Sequence, residues 1–385
     1  MGGRGAAICA APPRIQALRE PMDTVEILHR LVAFDTTSRR SNLDLVNWIA
    51  DYLDKAGARI RLTRDASGEK ANILATIGPD EPGGIVLSGH TDVVPVDDQD
   101  WISDPFSLAS RDGRLHGRGA VDMKGFVAAC LAAVPGWQAQ RLRRPIHLAL
   151  SYDEEVGCLG VPLLIADMLA HCQLPALAII GEPTQMRIGL SHRGFYGYRS
   201  VFHGRAAHSS DPRLGVSAIE PAAAFVAALA GLGGGEGGMT VNIGKIAGGS
   251  AINIVPERCE VVWEFRPPDE AAVGAVVAEV ERFAAELPAG VSVETMPLAR
   301  VLPLDCAASS PAVGVARDLG CLWPPIAMPF GTEAGFFQQA GIPALVCGPG
   351  SIAQAHQPNE WIARAELEAA DRFLARIGGW AAAGR

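Results

Sequence analysis

Histidine and carboxylate side chains follow four short apolar runs of this 385-residue sequence. They are His90 and Asp92 after the run 85–87, Glu154 and Glu155 after 146–150, Glu182 after 176–180, and His356 after 344–346. Imidazole nitrogens and carboxylate oxygens, without paired cysteines, are ligands that suit zinc, cobalt or manganese. The pattern therefore predicts a metal site made of nitrogen and oxygen donors.

The apolar runs explain how residues so distant in sequence could meet. Each run is too short for a helix and too continuously apolar for a half-exposed strand. This is typical of buried strands in a largely parallel sheet with helices on both faces. Open α/β sheets bind ligands beyond the carboxyl ends of their strands. We therefore expect the site to be assembled from strand ends.

Each of these residues also has a structural interpretation when it is taken alone. His90 could be a hydrogen-bonded core imidazole, and Glu182, which precedes Pro183, could cap a turn. Asp92 lies two residues from His90 on the same side of an extended segment. There it could accept the second ring N–H of a metal ligand, or simply stabilise a turn.

The remaining carboxylates have the same two interpretations. Asp122 lies just before an apolar, helix-like stretch that begins at Phe126. It could cap that helix, or its two oxygens could bridge two metal ions. Glu154 and Glu155 point in different directions in an extended chain, so that one could bind metal while the other faces substrate. Adjacent carboxylates at the end of an apolar strand are costly unless a cation or proton compensates them; a solvated loop is the alternative.

Residues 194 to 300 follow a different pattern. The segments are a strand at 196–203, a helix at 216–232, strands at 239–246 and 259–266, a helix at 269–287 and a strand at 291–295. This order is typical of a ferredoxin-like α+β unit, and it indicates an inserted second domain. The predicted division is an N-terminal extension at 1–21, expected to be disordered, a catalytic domain made of 22–193 and 301–385, and the insert at 194–300.

Two helices are predicted at the start of the catalytic domain. Asp23 and Glu26 have the spacing of a capping box, and apolar residues then repeat at helical intervals. A second amphipathic helix over 43–56 should end at Gly57, where a left-handed cap is expected.

Composition limits the class of protein. With 33 basic and 42 acidic side chains, a net charge of −9 and a pI of about 5.5, the chain lacks the cationic excess of a nucleic-acid binder. A hydrophobic fraction of 49% indicates a globular protein. No apolar run approaches the ~18 residues of a membrane span, so no membrane partner is expected. Eight cysteines without a C-x-x-C pair favour reduced thiols and a cytoplasmic location.

Six local strings occur in order along the chain: SGHTDVVP, DPF, GRGAVDMKG, DEEVG, GEPT and AHSSDP. Together they resemble the dinuclear metallopeptidase and deacylase family, which includes deacetylases, desuccinylases, aminoacylases and glutamate carboxypeptidases. The resemblance covers about 31–361, nearly the whole chain outside the N-terminal extension. It implies a zinc-peptidase-like α/β catalytic domain with an inserted ferredoxin-like lid or dimerisation domain.

The resemblance implies a site for two divalent metal ions, zinc or cobalt. His90, bridging Asp122 and Glu182 would hold one ion, and Asp122, Glu155 and His356 would hold the other. A non-enzymatic binder of amino-acid derivatives would lack a ligand or the base. All these positions carry the expected residue types, so an enzyme is favoured.

Three further roles are implied by the resemblance. Glu154 would be the general base, which takes a proton from the attacking water and passes it to the leaving amine. Asp92 would orient His90. His208 would reach the partner subunit's active site and stabilise the oxyanion, so that a homodimer would be needed for activity.

The strings GTEAG at 331–335 and GPGSIAQAHQPNE at 348–360 are most similar to the branch that releases acetate from N-acetyl-L-ornithine in arginine biosynthesis. That substrate carries a carboxylate and a distant ammonium. Arg266 with Asn253 could clamp the carboxylate, while Glu333 could face the ammonium. The alternative is a related N-acyl-amino acid hydrolase, a desuccinylase or a dipeptidase.

Overall fold

The structure is a computed structural model that describes residues 21–234 and 238–383. The extension predicted at 1–21 lies outside the described residues except for its last position. The described helices are α1 Thr24–Val32, α2 Leu43–Lys55, α3 Lys124–Gln138, α4 Val161–His171, α5 Ile219–Leu232, α6 Glu270–Ala285, α7 Pro311–Asp318, α8 Ala334–Gln339 and α9 Arg364–Ala383. The described strands are β1 Arg59–Arg64, β2 Ala71–Ile77, β3 Ile85–His90, β4 Ala109–Arg111, β5 Arg114–His116, β6 Ile146–Ser151, β7 Leu177–Pro183, β8 Arg187–His192, β9 Phe195–His203, β10 Ala207–His208, β11 Thr240–Gly248, β12 Ile254–Val255, β13 Arg258–Arg266, β14 Ser292–Val301, β15 Leu304–Asp305, β16 Leu322–Met328, β17 Ala344–Gly348 and β18 Trp361–Ala363.

The two N-terminal helices form as predicted. The Asp23 side chain accepts the Glu26 N–H at 2.8 Å, and the Glu26 side chain accepts the Asp23 N–H at 3.0 Å, which completes the capping box. Helix α2 ends at Lys55, and Gly57 follows with a φ of +82° in the left-handed region. Glycine reverses the chain there without a side-chain penalty.

The main sheet has nine strands in the order β1-β2-β6-β3-β7-β17-β8-β15, with β16 beside β8. The four predicted apolar runs form β3, β6, β7 and β17, which are consecutive neighbours in this sheet. Strand β3 is parallel to β6 and to β7, and β7 is parallel to β17. Their carboxyl ends therefore meet at one edge, as the sequence predicts for this fold class.

Helices cover this sheet, and α3 packs between the sheet, α1 and α9. Phe126 at the start of α3 is buried against β7. A Cβ added to Gly181 would lie 2.0 Å from the Phe126 ring, so glycine permits this close approach one residue before Glu182. Among the described helices, none is long and apolar enough to span a membrane.

A smaller antiparallel sheet has the order β11-β13-β9-β14. Helices α5 and α6 lie in the sequence between its strands, and a separate hydrophobic cluster that includes Phe202, Phe225 and Trp263 forms its core. The strand–helix–strand–strand–helix–strand order matches the ferredoxin-like pattern expected from the sequence.

A two-stranded sheet, β10 with β12, was not anticipated from the sequence. Ala207 pairs with Val255 and His208 with Ile254. The Ser209 N–H also donates to the Asn253 carbonyl at 3.0 Å. Two segments separated by more than forty residues are thereby joined, which brings the backbones of His208 and Asn253 side by side.

Candidate metal centre and active site

His90 ends β3 and is held from both ring nitrogens. Its Nδ1 lies 2.9 Å from the backbone carbonyl of Asp92, and its Nε2 lies 3.1 Å from Asp122 Oδ1 and 3.6 Å from Glu182 Oε1. The imidazole is 1% exposed. Nδ1–H therefore donates to Asp92, which leaves Nε2 directed at the two carboxylates as a metal ligand would be.

Asp122 lies between the two histidines. Its Oδ1 faces His90, while Oδ2 lies 3.2 Å from His356 Nε2. His356 Nε2 is also 3.0 Å from Glu155 Oε2, and its ring is half-exposed. The structure thus places one carboxylate with an oxygen on each side, which is the arrangement a bridging ligand requires.

Glu182 and Glu154 complete the cluster, and its donor set fits metal ions. Donor atoms of His90, Glu154 and Glu182 lie within 4.8 Å of one another, as do those of His90, Asp122 and Glu155. The buried Oε1 of Glu155 has no hydrogen-bond partner among the described residues. Four carboxylates face two imidazoles here, and an unpaired buried oxygen is costly unless a cation satisfies it.

Residues 86–378 match the model of peptidase family M20/M25/M40. An acetylornithine deacetylase from Pasteurella multocida (strain Pm70) is 33% identical over 367 residues, which span 88% of this chain and 91% of the relative. Another from Proteus mirabilis (strain HI4320) is 32% identical over 381 residues, spanning 92% and 95%. The chain belongs to the M20/M25/M40 peptidase family.

Solved structures confirm the family fold. A tripeptidase from Staphylococcus aureus superposes with a TM-score of 0.73 at 22% identity, covering 94% of this chain and 98% of that chain. A dinuclear metal-binding peptidase of the M20 family from Bacillus subtilis superposes with a TM-score of 0.66 at 15% identity, covering 94% and 98%. With the deacetylase relatives, the M20 family makes this protein a metal-dependent amide hydrolase.

Burial and neighbouring charges raise the pKa values of several groups in this M20 site. Burial raises the pKa of Glu155 to about 7, and nearby Asp122 adds to the rise. Hydrogen bonds to Asp122 and Glu155 raise the pKa of His356 to about 10. Burial also raises the pKa of Glu154 and of Glu182 well above the usual range. Protons therefore occupy the cluster until cations displace them, so metal binding should release protons.

The contact of Asp92 with His90 differs from the carboxylate contact that the sequence suggested. It contacts the ring mainly through its backbone carbonyl, while its carboxylate is 3.6 Å from Nδ1. That carboxylate accepts the Ser38 hydroxyl at 2.6 Å and the backbone N–H groups of Glu154 and Glu155 at 3.0 and 3.3 Å. Asp92 thus connects the end of β3 to the turn that carries both glutamates.

The predicted residues of the smaller layer lie apart from this cluster. His208 is exposed, and its Nδ1 contacts Ser210 rather than any metal-ligand candidate. Asn253 is exposed beside it, whereas Arg266 lies at the far end of β13. Eight residue steps separate Arg258 and Arg266, so the strand spans roughly 26 Å. Asn253 directly precedes β12, which leads into the Arg258 end of β13, so within one chain Asn253 and Arg266 lie towards opposite ends of this strand.

Glu333 occupies a different setting from the one expected for a substrate contact. It is 1% exposed. Its Oε2 accepts the Ser88 hydroxyl at 2.9 Å, and its Oε1 accepts the Ser151 hydroxyl. In this conformation the Glu333 carboxylate is directed at these two serines in the interior, where solvent hardly reaches it.

Sequence reasoning missed three residues that support the site. They are Ser38, which donates to Asp92, and the buried ion pair of Arg118 with Glu360, 2.7 Å apart. Arg118 lies inside a string that the family resemblance already singles out, and Glu360 follows His356 by four residues. No local pattern marks either as a partner of the other.

Proposed function

We propose that this protein hydrolyses the amide bond of N-acetyl-L-ornithine, releasing acetate and L-ornithine in arginine biosynthesis. The carrying observation is the cluster of two histidines and four carboxylates, in which Asp122, from the loop before α3, lies among side chains that follow strands of the main sheet. It is supported by relatives named acetylornithine deacetylase that are similar over nearly the whole chain.

The residues of the cluster would have two roles: five would hold metal ions, and Glu154 would move a proton. His90, Asp122 and Glu182 would hold one ion, and Asp122, Glu155 and His356 the other. Two divalent ions, zinc or cobalt, would polarise the scissile carbonyl and lower the pKa of a bound water toward ~7. Distances alone also place Glu154 near a metal position, so its role as base rests on the family resemblance.

Glu154 is suited to accept and return a proton. Its carboxyl group is withdrawn from solvent although part of the residue is exposed, and burial raises its pKa well above the usual range. A general base works best when its pKa lies near the working pH. Glu154 would take the proton of the attacking water and deliver it to the amine as the amide bond breaks.

Substrate recognition would combine residues of two chains. Arg266, near the seam of the two layers, would bind the substrate carboxylate from its own chain. His208 and Asn253, which lie side by side, would act in the active site of the partner subunit, with His208 stabilising the oxyanion. Because Asn253 and Arg266 would then come from different chains, their separation within one chain would not prevent both from binding one substrate.

A homodimer would form through the smaller layer. Strand β11 lies at the edge of its sheet, and among the described strands it pairs only with β13. Near this edge, Ile246 is 49% exposed and Ile252 is fully exposed. An open strand edge flanked by apolar side chains is a ready surface for pairing with a second copy.

The seven described cysteines are all free. Free thiols suit a reducing compartment, and we propose a cytoplasmic location. Cys158 is 1% exposed, and its Sγ lies 3.5 Å from Glu154 Oε1. Burial raises the pKa of this thiol well above its usual range, so it should stay protonated beside the base.

An assay of amine release tests the proposed function. Chelated protein is given N-acetyl-L-ornithine, N-acetyl-L-methionine or N-succinyl-diaminopimelate, with and without zinc or cobalt. We expect activity to return with metal and to be greatest on N-acetyl-L-ornithine. Metal-restored activity greatest on another substrate would retain the mechanism and refute the specificity. No activity on any of them, with metal demonstrably bound, would refute the proposal.

A further inference from the structure

Glu360 is a buried carboxylate that has no part in the proposed reaction. It is 1% exposed. Its Oε1 accepts the backbone N–H groups of Val121 at 2.8 Å and Asp122 at 3.2 Å. Its Oε2 accepts the Arg118 guanidinium at 2.7 Å and the Gly119 N–H at 3.1 Å. Both oxygens therefore act only as acceptors, each from two donors.

The loop that carries Asp122 is shaped around this carboxylate. Three backbone N–H groups within four residues point at Glu360, which is the geometry of a backbone anion site. Gly119 has a φ of +77°, and a Cβ there would lie 2.6 Å from Val93. Only glycine can adopt this φ and leave room for Val93 without strain. The carboxylate of Glu360 occupies the anion site that the loop forms.

Glu360 also connects this loop to the segment that carries His356. Its own backbone carbonyl accepts the Gly117 N–H at 3.0 Å. The next residue, Trp361, begins β18 and pairs with His116 of β5. Strand β5, which leads into the loop of Asp122, is thus paired with β18, which follows the segment of His356.

Arg118 makes the burial of Glu360 possible. Its side chain is 1% exposed, donates to Gln99 Oε1 at 2.5 Å and lies 5.1 Å from the centre of the Trp101 ring. A buried ion pair is costly to break on one side, because the remaining charge is left without a partner. Removing either Arg118 or Glu360 would therefore leave the other charge buried without its partner.

We propose that Glu360 is a positioning residue: it holds the backbone of Asp122, and through it the bridging carboxylate, at the correct place between two metal ions. This inference rests on the metal-ligand set of the proposed function. Because Glu360 also holds the His356 segment, its loss should act most strongly on the ion bound by Asp122, Glu155 and His356. Removing a residue that supports a metal ligand typically weakens metal binding by about 10- to 100-fold.

The test compares Glu360→Gln with wild type in the full-length chain. The glutamine has the same shape, but its NH₂ faces two N–H donors whichever way the amide is turned. Cobalt binding to chelated protein is measured by equilibrium dialysis, and magnetic coupling between two bound ions by electron paramagnetic resonance. We expect two coupled ions in wild type, and in the variant a second ion bound about 10- to 100-fold more weakly with altered coupling.

Glu368→Gln is the control. Glu368 is exposed on α9, the helix that follows Glu360 along the chain. It should leave both cobalt affinities unchanged. Circular dichroism of the chelated proteins shows whether each variant folds.

Arg118→Lys provides a second variant if Glu360→Gln does not fold. Lysine keeps the charge but loses the planar fork, so we expect the same second-ion weakening in a milder form. Folded variants with unchanged affinities and unchanged coupling would overturn the inference about Glu360. A wild-type protein that binds fewer than two ions would instead refute the metal site of the proposed function.

Discussion

The strand ends of the main sheet and the β10–β12 edge of the smaller layer both present histidines, but they surround them differently. His90 is buried among carboxylates; besides neighbouring Asp92, it contacts two distant parts of the chain, at Asp122 and Glu182. The His208 side chain is exposed, and its hydrogen-bond partner within the described structure is neighbouring Ser210. The first region brings its partners together within one chain. The second presents polar groups to solvent, where a second copy would meet them under the proposed function.

This difference sets the expected hierarchy of mutational effects. Changes at the strand ends should abolish chemistry or metal binding in any oligomeric state. Changes at the β10–β12 edge should affect only the reaction, and only through a second subunit.

The largest effect is expected for Glu154→Gln. The glutamine keeps the shape but cannot accept the proton of the attacking water, so kcat should fall by about 10²- to 10⁴-fold. Metal content, measured by elemental analysis, should stay at the wild-type value. Loss of an ion in this variant would show that Glu154 is a ligand rather than the base.

A smaller loss of activity is expected for His208→Ala. Removing one oxyanion donor typically lowers kcat by about 10²- to 10³-fold, while KM and metal content should hardly change. The matched control is His203→Ala, an exposed histidine at the end of β9. Steady-state kinetics of the two variants side by side would contradict the assignment if they were equally active.

The smallest effect concerns stability and comes from the core of the main sheet. His147 is 1% exposed; its Nδ1 contacts the Thr76 hydroxyl at 2.9 Å, and burial lowers its pKa to about 4. As the pH falls, His147 is therefore protonated in the unfolded chain before it is protonated in the folded chain. The stabilisation that the neutral imidazole contributes is fully present above pH 6.5 and is lost as the pH falls toward 4. The loss should reach about 2 kcal/mol at pH 5.

Urea unfolding at pH 7 and pH 5 measures this effect. His147→Asn should lose about 2 kcal/mol less than wild type between the two values of pH. His203→Asn, at an exposed position of the smaller layer, should behave as wild type does. If His147→Asn lost as much unfolding free energy between pH 7 and pH 5 as wild type does, the burial of His147 would not be the cause of the loss.

Much of the main sheet could be predicted from sequence because its signals are local. The apolar runs identify β3, β6, β7 and β17, and the chemistry follows from the residues at their carboxyl ends. A parallel sheet then brings those ends together without further information. The capping box at Asp23 is equally local.

What escaped prediction depends on long-range contacts. Strands β10 and β12 have two residues each, too few for any periodicity to mark them. Glu360 accepts from donors that lie 238 to 242 residues away. Glu333 was expected to face substrate, but its carboxyl group lies in the interior and accepts hydrogen bonds from Ser88 and Ser151. Composition and spacing carry no signal for such pairings.

The central claim is that the metal centre of one chain works with His208 of a second copy. It is tested most directly by co-expressing Glu154→Gln and His208→Ala chains with different tags and isolating the doubly tagged dimer. One site of this hybrid combines an intact Glu154 with His208 of the partner subunit, and the other lacks both. We predict about half of the wild-type activity per dimer. Activity no greater than that of the two separate variants would contradict the claim.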